Sequence, residues 1–204
     1  MYVPPHFQQS DEAKLFDFIA SHSFGLLVSR VAGELFATHL PLLSNKDAPP
    51  RGQIWGHMAR SNPQWQDLAG QSVLTVFSGP HAYISPTWYE ADNVVPTWNY
   101  VAVHAYGTCE LTNDETTSRI VEDYVATYER SQPKPWTIDA ASPFFGKLVQ
   151  MVVGFRINIT RLEGKWKLGQ NHPAERREKV VRRLTESDDL NAQSIARLTA
   201  ETLR

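Results

Sequence analysis

The sequence predicts a mainly β, α+β protein: an antiparallel barrel with peripheral helices and a helical C-terminal tail. Two observations predict the barrel. About six or seven β-rich segments precede or alternate with short helical ones, and few connections are long enough to be βαβ crossovers. A doubly wound fold is further disfavoured because neither Gly-x-Gly-x-x-Gly nor a P-loop pattern occurs. The tail is predicted by the polar, helical character of the chain from Pro173 onward, with helices over 174–184 and 191–203 separated by Glu186-Ser187-Asp188-Asp189. The expected division is a barrel domain over 1–172 and a helical extension packing on it over 173–204.

The elements follow in order. Ser10 caps a helix over 11–22, with Asp11 and Glu12 in its first turn and Leu15, Phe18 and Ile19 on one face. Phe24 to Ser29 and Glu34 to Leu43 flank the turn Ala32-Gly33 as a β-hairpin. Asn45 to Gly52, with two prolines, is a loop, and Gln53 to Ala59 a strand. Asn62-Pro63 starts a short helix over 63–70: the Asn side chain caps, and proline at the first helical position gives up no needed N–H. Strands over 72–78 and 81–85 surround Gly79-Pro80.

In the strand over 97–111, Val101, Val103, Ala105, Cys109 and Leu111 point one way as barrel core. Trp98, Tyr100, His104, Tyr106 and Thr108 point the other way. That face is aromatic and amphipathic, suited to a covering subunit or ligand rather than water. Asn113 opens a helix to about Arg130, a proline-rich loop follows, 144–153 is helical, and 154–162 is the final strand.

Composition bounds the function. The chain has 204 residues, 42% of them hydrophobic, and a formal charge of −2, so overall charge does not draw it to nucleic acid. Cys109 is the one cysteine, which fits a reducing compartment. The start, Met1 to Phe7, has no charged leader before an apolar stretch, and no apolar run reaches the ~20 residues of a membrane span. A soluble cytoplasmic protein with no membrane partner is expected. No His-x-x-x-His, His-Glu-x-x-His or Gly-x-Ser-x-Gly pattern supports a metal or hydrolase site.

Four clusters carry candidate chemistry. Gly56-His57-Met58-Ala59-Arg60-Ser61-Asn62-Pro63-Gln64-Trp65 joins a strand end to a capped helix, where free N–H groups, the Arg60 fork and the Ser61 hydroxyl suit a phosphate. An ordinary cap with an exposed arginine would leave the same pattern. Thr38-His39-Leu40-Pro41 lies in a strand whose backbone suits the polar edge of a planar ring, although a strand histidine also serves as a packed core or interface residue. Gly79 to Tyr89 and Val95-Pro96-Thr97-Trp98-Asn99-Tyr100 supply rigid walls and hydrogen-bonding groups, fitting a packed barrel edge, a cofactor surface or both. Glu163-Gly164-Lys165-Trp166-Lys167-Leu168-Gly169-Gln170-Asn171 reads either as a charged hairpin or as a lysine near an anion with two amides at a ring edge.

Taken in order along the chain, these motifs resemble the PaiB-type FMN-binding negative transcriptional regulators, built on the FMN-binding split barrel. Met1-Tyr2-Val3-Pro4-Pro5-His6-Phe7 is similar to that family's start, and Phe77-Ser78-Gly79-Pro80-His81-Ala82-Tyr83-Ile84-Ser85-Pro86 also fits. Gly169 departs from the pattern, which has serine there. The resemblance implies a six-stranded antiparallel split barrel, a homodimer, and FMN in the cleft between subunits. It implies Arg60, Ser61 and Asn62 at the phosphate and Thr38, His39 and Leu40 at the flavin ring. Trp98, Asn99, Lys165, Gln170 and Asn171 would complete the site from the other subunit.

Two roles then stand side by side: a repressor with FMN as structural or sensory ligand, and an FMN-dependent oxidoreductase of flavin-reductase type. For DNA the best candidate patch is the helix over 174–183, with Arg176, Arg177, Lys179, Arg182 and Arg183 against Glu175 and Glu178. A solvated helix face has the same composition.

Overall fold

The computed structural model describes residues 1–203. The strands are β1 (Gln8–Gln9), β2 (Phe24–Val31), β3 (Glu34–Pro41), β4 (Leu43–Asn45), β5 (Gln53–Ala59), β6 (Ser72–Ile84), β7 (Thr97–Leu111) and β8 (Val152–Lys167). The helices are α1 (Glu12–Ser21), α2 (Asp114–Glu129), α3 (Pro143–Gln150), α4 (Ala174–Thr185) and α5 (Leu190–Glu201). The sheet order is β3-β2-β6-β7-β8-β5-β4, with β1 added to β8. Pairing of β2 with β3 and β6, of β4 with β5, and of β5 and β1 with β8 is antiparallel. This is the antiparallel sheet with peripheral helices that the sequence predicts.

The strand count is eight rather than six. Both additions are short: β1 has two residues and β4 three, too few to show alternation in sequence. Several boundaries also move; the helix expected over 144–153 ends at Gln150, and Val152 and Val153 open β8. The predicted strands on either side of Gly79-Pro80 form one strand, β6, in which Val73, Thr75 and Phe77 are buried before the prolyl step and Ala82 and Ile84 after it. The inward phase slips by one residue there. Strand β8 runs on to Lys167, which places Lys165 and Lys167 in a strand. The helix expected over 63–70 is a 3-10 turn, Pro63–Asp67.

The chain forms two compact units, one from residues 1–15, 78–104 and 163–204, the other from residues 16–77 and 105–162. Strands β6, β7 and β8 contribute a segment to each. In the second unit the core centres on Leu42, Phe77 and Phe155, all fully buried. Burying a phenylalanine or leucine is worth about 1.5–3 kcal/mol, so these three side chains are a main hold on the sheet. Two glycines make room for them. A Cβ at Gly25 would stand 3.0 Å from Phe77, and one at Gly56 would stand 2.5 Å from Phe155 and 2.7 Å from Leu42.

The β2–β3 hairpin turns at Ala32-Gly33, where both residues have positive φ (50° and 86°). That is the handedness a two-residue hairpin turn needs. Asp67 accepts a hydrogen bond from the Ala32 amide at 2.8 Å and Gln64, fully buried, donates to Leu27 O and Ser29 Oγ, so the 3-10 turn props the hairpin. From α2, the Tyr124 hydroxyl donates to the carbonyls of Pro41 in β3 and Trp55 in β5. Cys109 is buried in β7, and burial pushes its thiol up to about 12, so it is unreactive at neutral pH.

In the first unit, Ala174–Thr185 packs along Leu190–Glu201 and against the turn Pro86–Tyr89. Lys179 pairs with Glu90 at 2.9 Å across that contact. Among the described residues no helix is long and apolar enough to cross a membrane. Gly56→Ala is expected to lower unfolding stability by about 1–3 kcal/mol through overpacking against Phe155 and Leu42, read as a lower denaturant midpoint at unchanged slope.

Candidate functional site

The structure sorts the sequence-predicted site residues into two sets, one in each compact unit. Thr38, His39, Leu40, Arg60, Ser61 and Asn62 lie in the second unit; Trp98, Asn99, Lys165, Gln170 and Asn171 lie in the first.

The second unit's set is built where β5 ends. Arg60 is anchored by four contacts: its amide donates to Met151 O (2.8 Å), Nε to Gln150 O (2.7 Å), Nη2 to Val152 O (2.9 Å), and its carbonyl accepts from Trp65 Nε1 (2.8 Å). The guanidinium is exposed, with Nη1 left for an anion. Ser61 is exposed beside it. Asn62 caps the 3-10 turn by accepting from the Gln64 amide (3.0 Å), while its Nδ2 donates to Thr38 Oγ1 (3.0 Å).

That bond brings the predicted phosphate residues and the predicted ring residues into one cluster. It also changes the expected phosphate chemistry. The turn is only five residues long and its Gln64 N–H is already capped, so anion binding falls to the Arg60 and Ser61 side chains rather than to a helix dipole.

Strand β3 stands at one end of the strand order, which leaves one side of its backbone outside the ladder. His39 is exposed, its ring stacked near that of Phe24 (5.9 Å, 20°). Leu40 is 8% exposed with its side chain in the core, so only its backbone can face a ligand.

The first unit's set has a different character. Trp98 is 54% exposed, next to His81 and Tyr83 rings at 5.9 and 6.0 Å. Asn99 is 3% exposed. Its Nδ2 lies near Gly169, whose φ of +81° turns the chain after β8.

Lys165 is 7% exposed; Nζ donates to Tyr2 O (3.0 Å) and sits over the rings of Tyr2 (5.4 Å) and Tyr100 (5.1 Å). No carboxylate pairs with it among the described residues. Gln170 is spent locally: Oε1 accepts from Leu168 N (2.8 Å) and Nε2 donates to Trp166 O (2.7 Å). It fixes the turn and leaves no group for a ring edge. Asn171 is exposed.

Sequence reasoning left Lys167 out of the site set. Its Nζ donates to Thr97 Oγ1 and Trp98 O, both at 2.5 Å, and so holds the segment that presents Trp98 and Asn99. Burial and then the neighbouring Lys165 hold its ammonium below the usual lysine range. The signal that finds it is the i, i+2 spacing of Lys165 and Lys167, which puts both on one face once the strand is known to reach them. His172, against Tyr89 at 4.9 Å, is lowered by burial first, then by Arg176 and Lys167.

The antiparallel sheet with peripheral helices is that of the flavin-binding split-barrel class. Residues 1–161 match the family described as "Putative FMN-binding domain", and the chain belongs to that family, with FMN as its cofactor. Protease synthase and sporulation protein PAI 2 of Bacillus subtilis is 35% identical over 100% of this chain and 99% of its own length. An uncharacterized protein of Aspergillus fumigatus is 29% identical, with 89% of each chain covered.

Among solved structures, the FAD and heme binding protein from Mycobacterium smegmatis superposes with a TM-score of 0.63 at 13% identity, covering 83% of this chain and 78% of that one. A conserved hypothetical protein from Mycobacterium tuberculosis superposes with a TM-score of 0.57 at 19% identity, covering 85% and 94%. These two share the fold.

The residues present fit the cofactor. Arg60 and Ser61 suit its phosphate, the Asn99 amide suits a polar ring edge, and the exposed indole of Trp98 suits a flat ring face. Asn62→Ala is expected to cost about 1–2 kcal/mol, because it removes both the cap and the tie to β3. A cycle with Thr38→Val should show a coupling of about 0.5–1.5 kcal/mol in denaturant unfolding.

Proposed function

We propose that this chain is an FMN-binding homodimer that acts in the cytoplasm as a negative transcriptional regulator of the PaiB type. In this reading each FMN lies at the subunit interface. One copy supplies Arg60, Ser61, Asn62, Thr38, His39 and the Leu40 backbone; the second supplies Trp98, Asn99 and Lys165, with Gln170 shaping the turn that carries Asn171. The observation that carries it is the division of the candidate residues: a cation-and-hydroxyl set in one unit, and an exposed indole, an amide and a lysine without a carboxylate partner among the described residues in the other. The regulatory role rests on the PaiB-type resemblance and on full-length similarity to the PAI 2 protein. The helices Ala174–Thr185 and Leu190–Glu201 lie beyond the family match, which ends at residue 161.

Little supports direct DNA contact through α4. Lys179 is paired with Glu90 and Glu175, Arg183 with Glu186, and Arg177 Nη1 donates to Thr202 O and Oγ1. Arg176 and Arg182 remain, a weak basis for a phosphate-tracking surface.

The second reading, an FMN-dependent oxidoreductase, is favoured by the lysine pair, which suits a ligand whose charge changes. FMN supplies the redox chemistry when bound. This chain's part is to orient the ring on Trp98 and Asn99, seat the phosphate on Arg60, and keep lysine charge at the ring.

Purified protein is expected to be yellow and to release FMN on denaturation. Arg60→Ala should weaken FMN binding by about 10- to 150-fold, the loss of a charge-assisted hydrogen bond, while Ser61→Ala loses less. Unchanged affinity in a folded Arg60→Ala protein would remove that residue from the site. DNA retention that falls steeply with salt supports repression by direct contact, and FMN-dependent NADPH oxidation supports the enzyme reading.

A further inference from the structure

A cavity of about 840 Å³ opens in the second unit between α1, α2 and β4, and no residue of the candidate FMN set lines it. That is the size of a small-molecule site, roughly 300–1,000 Å³. Leu42, fully buried, and the half-buried Leu43 and Trp55 give it an apolar floor.

The α2 wall has a definite order. Asp123, Ala126, Thr127 and Arg130 line the cavity, the i, i+3, i+4, i+7 face of one helix with Arg130 at its C-cap. The two middle side chains are small and leave room, while the two ends carry opposite charges. Seven helical steps set the backbone of those ends about 10 Å apart. Asp17 from α1, and Lys46 and Asp47 after β4, add charges of both signs on the other walls. Among the described residues none of these five charged side chains forms an ion pair or a hydrogen bond.

Opposite charges held apart along an apolar floor match a ligand that carries both charges itself. A single amino acid has its amine and carboxylate on one carbon, too close together to reach both ends of the α2 face. One further residue lengthens the ligand by up to about 3.3–3.6 Å, and the reach of the arginine side chain covers the rest.

We propose that this cavity binds a short zwitterionic peptide, of dipeptide length and with apolar side chains. Its amine faces Asp123, its carboxylate faces Arg130, and its side chains lie on Leu43 and Trp55. Ala126 and Thr127 leave space for its backbone. The site is separate from the proposed FMN site and stands whether or not the cofactor is held.

The test adds leucyl-leucine to the full-length protein and follows the indole N–H resonance of Trp55, which Trp55→Phe assigns. A saturating shift with a dissociation constant of about 1 mM is expected, the scale of a few exposed contacts. N-acetyl-leucyl-leucine lacks the amine and leucyl-leucine amide lacks the carboxylate. Each should bind about two- to fivefold more weakly, the scale of one exposed ion pair. Asp123→Asn should remove the penalty of acetylation, and Arg130→Gln that of amidation. Ala126→Phe fills the groove and should abolish the shift. All three positions are exposed, so these chains are expected to fold.

The absence of a saturable shift with leucyl-leucine would overturn the proposal. Equal binding of the three compounds would also overturn it, since the groove would then not select charge. Binding that survives Ala126→Phe would place the ligand elsewhere, and free leucine binding as tightly as leucyl-leucine would overturn the assigned length.

Discussion

Lys165 is an ammonium group with almost no access to water and no carboxylate beside it. Most of what is distinctive in the first unit follows from that constraint. The Tyr2 carbonyl and the Tyr2 and Tyr100 rings supply partial compensation, of the order of about 0.5–2 kcal/mol for each cation–π contact. Desolvating a cation costs more than this. Lys167 meets the same difficulty two residues on, less buried, donating to two neutral oxygens and lying over the Phe7 ring. Among the described residues neither lysine has a carboxylate partner, so this end of β8 is short of negative charge.

The second unit solves its polar problems internally. Arg60 ties the end of β5 to the carbonyls of Gln150 and Val152, Asn62 ties the following turn to β3, and Gln64 ties that turn to β2. The result is a rigid frame with one unspent guanidinium edge. A rigid frame holding a cation suits the permanently charged phosphate.

Much of the fold was legible in the sequence because its signals are local. The positive-φ turn at Ala32-Gly33, the alternation of Val101, Val103, Ala105 and Cys109, and the Asn62-Pro63 cap each belong to one short stretch. The errors came where tertiary structure overrides a local cue. Gly79-Pro80 reads as a break, yet β6 passes through it with a slip of phase. Asn62-Pro63 promises a helix, yet the chain makes a 3-10 turn that serves as a strut beneath the hairpin.

At the candidate site, the sequence named residues in both units but not which of their groups are already spent. Gln170 looks free in sequence and is consumed by its own turn. Lys167 looks like a flanking charge and proves to hold the Trp98 segment. Hydrogen-bond occupancy of that kind is set by long-range folding, so no motif reports it.

The central claim is that a complete site needs residues from two copies of the chain, and subunit complementation tests it most directly. Arg60→Ala and Asn99→Ala chains, each unable to retain FMN alone, would be mixed in equal amounts, allowed to exchange subunits, and assayed for bound FMN. A site shared across the dimer predicts recovery to about one quarter of the parent's FMN content, since half of the dimers are mixed and each of those carries one intact site. No recovery, with exchange shown to be complete, would contradict the account and place the whole site within a single chain.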